Sequence, residues 1–349
     1  MTAEPLRVGI NGFGRIGRTV ARIIAQRDDL EVAAINDIAE DVPNLAYLYN
    51  YDSNFGTPQV RARAQMGSRS LAIGDREIPV FCERDIAAAD WHHAGAQVII
   101  DSSGVFDNVL SARRLVDEGR VAKVIVTHSP ASGIDRHIVL GINEADYDPR
   151  QHHVISSSIC DANAIAHPLY ALDKTFGIDE GYVTTLHPWL SYQNLVDAPL
   201  SSQSNPGHFW KDYSLGRASV GAIFPKNTTA VAALRPILPS IVDRLGSFSY
   251  RIPTAIVTSA DMTLRLSRAV SLEEVRHCIE TLVAESPYLA INEEALVSVD
   301  YLQSPASAVF DMQWLGLCGD RLLKVVVWYD NEWGYSSRVV DLAGHLVKR

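Results

Sequence analysis

Two hydrophobic periodicities follow one another near the start of the chain. An apolar-rich segment at residues 6–11 predicts a short strand, and a glycine-containing segment at residues 12–17 follows at once. Apolar side chains at helical spacing predict a helix over residues 18–26, and residues 31–36 predict a second strand. This strand–helix–strand order indicates a βαβ unit, in which the crossover makes the two strands parallel.

The same alternation continues as far as about residue 158 and then changes. Apolar segments at residues 96–101, 123–127 and 137–140 predict further strands, with a helix predicted over residues 111–118. Such alternation is typical of a doubly wound, Rossmann-type α/β sheet. The later strand-like segments have few helices between them, which predicts an α+β domain with a mostly antiparallel sheet. They lie at residues 182–186, 250–257, 262–266 and 322–328. The polar residues 201–216 predict a long loop.

The glycine-containing segment has the spacing of a phosphate-binding turn. Gly12, Gly14 and Gly17 form a GxGxxG pattern between the first strand and the helix, where glycines permit a tight turn and close approach of the backbone to a pyrophosphate. The helix N-terminus offers free N–H groups to the same phosphates. Asp37 follows the second strand, and its carboxylate can accept hydrogen bonds from both ribose hydroxyls and would repel a 2′-phosphate. The segment therefore predicts an NAD site.

Composition excludes several other classes of protein. The chain has 349 residues, 31 basic and 41 acidic side chains and a net charge of −10, so a nucleic-acid partner is not expected. It has no run of about 18 apolar residues and no evident secretory signal, so we expect no membrane association and a cytoplasmic location. The four cysteines are far apart and form no CxxC pair, which favours a reducing compartment and predicts no metal site.

Cys160 and His187 are candidates for a nucleophile and its base. Cys160 follows an apolar strand end and precedes a helix-like run at residues 164–172, and a helix N-terminus stabilises a thiolate and lowers its pKa from about 8.5. His187 ends another strand-like segment and could complete a thiolate–imidazolium pair. The pairing is one choice among four cysteines and 11 histidines, so by spacing alone a structural histidine is the more ordinary interpretation.

Several longer motifs together resemble the glyceraldehyde-3-phosphate dehydrogenase family. The opening RVGINGFGRIGR (7–18) and the closing KVVVWYDNEWGYSSRVVDL (324–342) almost repeat the family's terminal signatures. DSSGVF (101–106) is similar to its segment near the nicotinamide ribose, and LVSVD (296–300) and RIPT (251–254) are similar to further family motifs. The resemblance extends over both predicted domains.

The resemblance implies roles for individual residues. Cys160 matches the nucleophile and His187 the base. The residues that match cofactor-contacting positions are Gly12, Gly14, Arg15, Ile16, Asp37, Ser103 and Asn331. The residues expected to bind the substrate phosphate are Arg251, Thr228 and Arg217.

The resemblance also implies the reaction and the organisation of the chain. The cysteine would attack a small phosphorylated aldehyde, hydride would pass to NAD, and the resulting thioester would be attacked by an acceptor, which is inorganic phosphate in the typical enzyme. Residues 1–158 are expected to form the dinucleotide-binding domain, completed by the C-terminal helix at about residues 331–349. Residues 159–330 are expected to form the catalytic domain, and the family is homotetrameric.

The active-site strings depart from the family pattern. The usual Ser-Asn-Ala-Ser-Cys-Thr-Thr-Asn-Cys has Ile159 in place of the Ser before the nucleophile and Asp161 in place of the Thr after it. Near the base, the usual His-Ser-Tyr-Thr becomes His-Pro-Trp-Leu, so that a hydroxyl is lost at Leu190. A charged Asp161 beside the thiol would repel phosphate and raise the pKa of Cys160. Alternatively, Asp161 points outward as a helix cap, where Asp is favoured.

Three functions therefore remain open. The first is oxidation of glyceraldehyde 3-phosphate. The second keeps the enzyme class but changes the substrate to erythrose 4-phosphate or another pathway-specific aldehyde, with water as the acyl acceptor. The third is a catalytically weak NAD-binding paralogue, against which the retention of Cys160 and His187 argues.

Overall fold

The computed structural model describes residues 4–65, 67–199 and 213–347. The chain divides into two compact units: the first is Met1–Ile138, Glu144–Ser158 and Ser336–Arg349, and the second is Val139–Asn143 and Ile159–Tyr335. Most of the long loop predicted at residues 201–216 falls outside the described residues, and Tyr213–Gly216 form a short 3-10 turn.

The first unit is built around a mainly parallel sheet. Its strands and helices are β1 (Leu6–Asn11), α1 (Arg15–Ile24), β2 (Leu30–Asn36), α2 (Val42–Asn50), β3 (Ala62–Ala64), β4 (Ser70–Ile73), β5 (Arg76–Phe81), β6 (Val98–Asp101), α3 (Asn108–Asp117), β7 (Lys123–Val126), β8 (Arg136–His137) and β9 (Val154–Ser156). In the described part of this unit the strand order is β3-β4-β5-β2-β1-β6-β7-β9-β8. β1 pairs in parallel with β2 on one side and with β6 on the other. Strands β6 and β7 are buried at every residue, as expected of parallel strands covered on both faces.

The second unit is built around a mostly antiparallel sheet. Its elements are α4 (Cys160–Phe176), β10 (Ile178–Pro188), β11 (Phe224–Lys226), α5 (Pro239–Val242), β12 (Leu245–Ile252), β13 (Thr258–Leu266), α6 (Leu272–Glu285), β14 (Leu289–Asn292), β15 (Ala308–Asp311), β16 (Gly316–Cys318) and β17 (Leu322–Tyr329). Within the residues described, the strand order is β11-β12-β10-β13-β17-β15-β14, and β16 pairs with β17. Strands β10 and β12 pair in parallel, as do β14 and β15. A final helix, α7 (Trp333–Val347), follows β17.

The fold class agrees with the sequence prediction, and the differences are local. β8 contains only two residues, whereas residues 137–140 were expected to form a strand; Val139 instead packs in the core of the second unit. The helices α2 and α6 and the antiparallel edge β3–β4–β5 were not predicted. Over the residues that the structure describes, no helix combines the length and the apolar character that crossing a bilayer requires.

Candidate active site

Helix α4 fixes the position of the candidate nucleophile in the second unit. Ile159 is the N-cap in an extended conformation, and Cys160 is the first helical residue. Behind it the helix buries a run of apolar side chains and packs against β10, β13, β15 and β17. The thiol therefore lies at the end of a helix that the core holds in place, and it is partly buried.

The end of β10 supplies the imidazole, and a neighbouring strand supplies a cation. His187 is paired with Arg251 in the parallel register of β10 and β12, and paired residues of adjacent strands project to the same face of a sheet. His187 is only 5% exposed. Its Nδ1 lies 2.8 Å from the carbonyl oxygen of Pro188. A carbonyl can only accept, so Nδ1 carries the hydrogen and Nε2 keeps its lone pair.

Cys160, Asp161 and His187 come together. The Sγ of Cys160, a carboxylate oxygen of Asp161 and a ring nitrogen of His187 all lie within 4.8 Å of one another. The thiol lies 3.6 Å from Oδ1 of Asp161, and the Tyr329 hydroxyl donates to the same oxygen at 2.7 Å. The carboxylate is 6% exposed, so the alternative that Asp161 points outward as a helix cap is wrong.

Tyr329 reaches Asp161 because of the two-residue period of β17. Leu323, Val325, Val327 and Tyr329 are buried, whereas the residues between them are not. The buried face of β17 packs against α4, so the last residue of that face meets the first turn of the helix. Sequence reasoning did not single out Tyr329, although the alternation along residues 322–328 could have placed it on the buried face.

The electrostatics of the site keep both reacting groups neutral at rest. Burial and the adjacent Asp161 charge raise the pKa of the Cys160 thiol well above its ordinary value, and Arg251 opposes them. Burial, followed by the positive charge of Arg251, lowers the pKa of His187 to about 4. The expectation that the helix N-terminus would lower the pKa of Cys160 is therefore wrong, because burial and the carboxylate outweigh the helix end. The arrangement is a thiol beside a neutral imidazole.

Of the residues expected to bind phosphate, only Arg251 is linked to the site by a contact of the described residues, since its charge acts on both Cys160 and His187. The Nε of Arg251 is buried and has no hydrogen-bond partner among the described residues, which suits an anion still to be bound. The Thr228 hydroxyl accepts from the Ala230 N–H at 3.2 Å and keeps its own O–H to donate.

Arg217 is exposed and forms an ion pair with Asp197; no contact of the described residues links it to Cys160. Lys226 of β11, which the sequence reasoning missed, is near enough for its charge to lower the pKa of His187.

The glycines of the first unit fit a dinucleotide. Gly12 has a φ of +86°, and a Cβ there would lie 2.6 Å from the Ser103 backbone; a Cβ at Gly17 would lie 2.0 Å from the Gly12 carbonyl oxygen. These two glycines permit a tight turn and close helix packing. A Cβ at Gly14 would meet nothing within 4 Å, so this is the position with space for a ligand. Gly14 is the N-cap of α1, whose first turn carries no acidic side chain, and such a helix end attracts phosphate.

A polar network lies at the carboxyl ends of the neighbouring strands β2, β1 and β6. Asn36 donates to Asn11 at 2.7 Å, Asn11 donates to Asp101 at 2.8 Å, and the Ser103 hydroxyl donates to Asp101 at 2.7 Å. Asp37 follows directly and accepts backbone N–H groups with both carboxylate oxygens. A carboxylate has further lone pairs, so Asp37 can still accept from a ribose. Dinucleotides bind at such a strand edge, where the strand order reverses.

The other expected cofactor residues lie on two different segments. Arg15 begins α1, donates to Asp52 at 2.6 Å and stacks on Phe55. Ile16 is the next residue of the helix and is half-buried. Asn331, in the second unit, is buried, and its Oδ1 has no hydrogen-bond partner within the described chain. An unpartnered amide oxygen fits a carboxamide donor such as that of nicotinamide.

Cys160, Asp161 and His187 also offer atoms that can ligate a metal ion. A thiolate, an imidazole and a carboxylate within 4.8 Å of one another are the ligand types of a zinc site. The prediction that the chain binds no metal stays a prediction.

Comparison with known proteins agrees with this geometry. Residues 6–109 match the NAD binding domain of glyceraldehyde 3-phosphate dehydrogenase, and residues 159–331 match its C-terminal domain. The chain is 40% identical over 342 residues to glyceraldehyde-3-phosphate dehydrogenase 2 of Streptomyces arenae, covering 97% of each chain. It is 36% identical to the enzyme of Geobacillus stearothermophilus, covering 99% of each chain. It is also 36% identical to the cytosolic enzyme of Chlamydomonas reinhardtii, covering 99% of this chain and 97% of that one.

The fold, the glycine turn and these matches define an NAD-dependent oxidoreductase. NAD is its cofactor, as the sequence predicted. Within that class, the chain belongs to the glyceraldehyde-3-phosphate dehydrogenase family.

Proposed function

We propose that this protein oxidises a small phosphorylated aldehyde, glyceraldehyde 3-phosphate first among them, through a covalent intermediate on Cys160. The observation that carries the proposal is the convergence of the Cys160 thiol and the His187 ring within 4.8 Å. Arg251 lies opposite His187 in the strand register, which supports a phosphate-bearing substrate.

The neutral resting state sets the order of proton transfers. The Cys160 sulfur bonds to the aldehyde carbon while its proton passes through His187 Nε2 to the carbonyl oxygen, giving a thiohemiacetal. His187 then takes the hydroxyl proton as the carbon loses hydride, leaving a thioester and an imidazolium. NAD, when bound, supplies the hydride acceptor. General-base assistance of this kind contributes about 10²–10⁴ in rate.

The remaining assignments are proposed on the family match and the local geometry. The first unit is the dinucleotide-binding domain and the second is the catalytic domain. The residues that we assign to NAD binding are Gly12, Gly14, Arg15, Ile16, Asp37, Ser103 and Asn331. We assign substrate phosphate to Arg251 and Thr228, with Arg217 in a secondary role, and we propose a homotetramer in the cytoplasm.

The test is NADH absorbance with a panel of phosphorylated and unphosphorylated aldehydes. Wild-type protein should give a rapid NADH burst stoichiometric with active sites, and Cys160→Ser should give none. His187→Asn should slow the burst by about 10²–10⁴-fold. Cys278→Ser, a change of the same kind at a partly buried cysteine of the same unit, should behave as wild type. Retained activity in Cys160→Ser would refute the proposal.

A second candidate differs in the acyl acceptor, and Asp161 favours it. A carboxylate about 5 Å from a bound phosphate, at an effective dielectric near 20, would oppose it by about 3 kcal/mol, or roughly two decades of affinity. Ile159 and Leu190 lack the hydroxyls that the family pattern has there. Water is then the acceptor, with glyceraldehyde 3-phosphate, erythrose 4-phosphate or another aldehyde as substrate. Strict dependence of NADH production on millimolar phosphate would contradict this candidate.

A further inference from the structure

We propose that Asp161 is the general base that activates water for hydrolysis of the Cys160 thioester. This proposal rests on the proposed function, because it requires an acyl-enzyme on Cys160. It assigns to the chain a second base that acts only in the second half of the reaction.

The chemistry of the first half creates the need for this base. Hydride transfer leaves His187 as an imidazolium, which cannot accept another proton until it has lost the first. Inorganic phosphate is already an anion and can attack a thioester without deprotonation. Water is a weak nucleophile and needs a base within hydrogen-bond reach, directly or through one water. An enzyme of this family that uses water therefore benefits from a group that the phosphate-using pattern does not contain.

The position of Asp161 meets the requirement. Its Oδ1 lies 3.6 Å from the sulfur that would carry the acyl group, so a water on the carboxylate can reach the carbon bonded to that sulfur. Oδ1 is held by the Tyr329 hydroxyl at 2.7 Å, whereas Oδ2 makes no hydrogen bond to any residue described. The carboxylate thus has one oxygen fixed and one available to water.

Tyr329 is a positioning residue in this scheme. It contacts the carboxylate rather than the acyl group, and burial together with the Asp161 charge raises the pKa of its hydroxyl well above the ordinary value. The hydroxyl therefore stays a donor and holds the rotamer of Asp161. It does not compete for the proton that the carboxylate takes from water.

The hydrolytic step balances without any further reagent. The water oxygen bonds to the acyl carbon, and one water proton passes to the Asp161 carboxylate. The carbon–sulfur bond then breaks, and the sulfur takes the proton back from the Asp161 carboxylic acid to restore the thiol. The product is a carboxylic acid, which ionises to solvent, and no electron pair moves to or from NAD in this half.

The experiment separates the two halves by rapid mixing of enzyme, NAD and glyceraldehyde 3-phosphate in phosphate-free buffer. Wild type should show an NADH burst followed by steady turnover. Asp161→Asn should keep a stoichiometric burst while steady turnover falls about 10²–10⁴-fold. Hydroxylamine, a nucleophile that needs no base, should restore NADH turnover of Asp161→Asn and give the hydroxamate. Tyr329→Phe should slow turnover less than Asp161→Asn does, again without loss of the burst.

Three further variants separate the chemical role of Asp161 from a purely structural effect. Asp161→Glu keeps a carboxylate and should retain more turnover than Asp161→Asn. Asp243→Asn makes the same chemical change at an exposed ion pair with Arg235 and should behave as wild type. Asp161→Thr, which restores the usual family residue, should make turnover respond to added phosphate.

The outcomes are distinguishable. A wild-type burst with unchanged turnover in Asp161→Asn would overturn the assignment of Asp161. Wild-type turnover that stops without phosphate would overturn water as the acceptor, and the role of Asp161 with it. The absence of a burst from wild type would overturn the proposed function itself.

Discussion

The Asp161 carboxylate should suppress the reactivity of the resting thiol, and Asp161→Asn should release it. Asn preserves the size of the side chain and an oxygen that can accept from Tyr329, but it removes the negative charge. Unit charges at the 3.6 Å that separates Oδ1 from the sulfur interact by about 1 kcal/mol at the dielectric of water and about 5 kcal/mol at an effective value of 20. Removing the charge therefore increases the thiolate population by at least several-fold.

The expected change in reactivity is smaller than the change in population. The intrinsic nucleophilicity of a thiolate falls as its pKa falls, with a Brønsted slope of about 0.4–0.5, so roughly half of the logarithmic gain is lost. The alkylation rate of Cys160 at pH 7 should therefore rise between about 3-fold and 50-fold in Asp161→Asn.

The assay is the rate of iodoacetamide alkylation from pH 6 to 10, with the modified cysteine identified by mass spectrometry. The thiol of Asp161→Asn should titrate at lower pH than that of wild type, whereas Asp243→Asn should match wild type. An unchanged or higher titration point in Asp161→Asn would show that the carboxylate charge does not reach the sulfur. The electrostatic reasoning about this site would then be wrong.

Three further predictions concern other parts of the structure. Arg251→Gln should raise the KM for glyceraldehyde 3-phosphate in steady-state kinetics by about 10- to 100-fold, as expected for the loss of a charged hydrogen bond. The KM for unphosphorylated glyceraldehyde should change little, and an equal rise for the two substrates would contradict a role of Arg251 in binding phosphate. Gly14→Ala should leave the thermal midpoint unchanged but weaken NAD binding at least about tenfold, since the added methyl meets only open space. Gly12→Ala should lower the midpoint, because its methyl meets backbone at 2.6 Å; calorimetry and NAD titration separate the two cases. Burial raises the pKa of Asp330 to about 6, so the native state holds this proton where the unfolded state has released it. Relative to Asp330→Asn, the free energy of unfolding of wild type should therefore fall by up to about 3 kcal/mol as pH rises from 4 to 7 in urea titrations; a rise or no change would contradict this.

Local signals in the sequence were sufficient for the parallel strands of the first sheet and for β10, β13 and β17 of the second. The strand predicted at residues 250–257 was largely wrong, because β12 ends at Ile252. The glycine turn was predictable because only glycine tolerates a φ of +86° against a neighbouring backbone, as at Gly12. The missed helix α6 also has a local signal, since Ser271 and Glu274 form a capping box at its start. The edge β3–β4–β5 has weaker signals, because such short strands depend on the neighbouring sheet for their stability.

Local patterns made Cys160 and His187 candidates, but only the resemblance to the whole family singled out this pair. Their 27-residue separation does not bring them together by itself. The register of β10 and β12 and the packing of α4 place the imidazole and Arg251 beside the thiol, and these are long-range contacts that no local pattern encodes.

The amino-acid sequence alone determined the two fold classes, the use of NAD as cofactor and the substitution of Asp161 into the family string, because each depends on residues that are adjacent or periodically spaced. Tertiary structure alone decided the direction in which Asp161 points. Residue 329 lies far from residue 161 along the chain, and its hydroxyl holds the carboxylate toward the sulfur only once β17 has packed against α4. Burial of the site then reverses the effect expected from the helix end on the thiol, because the free energy of a charge depends on everything that surrounds it in space.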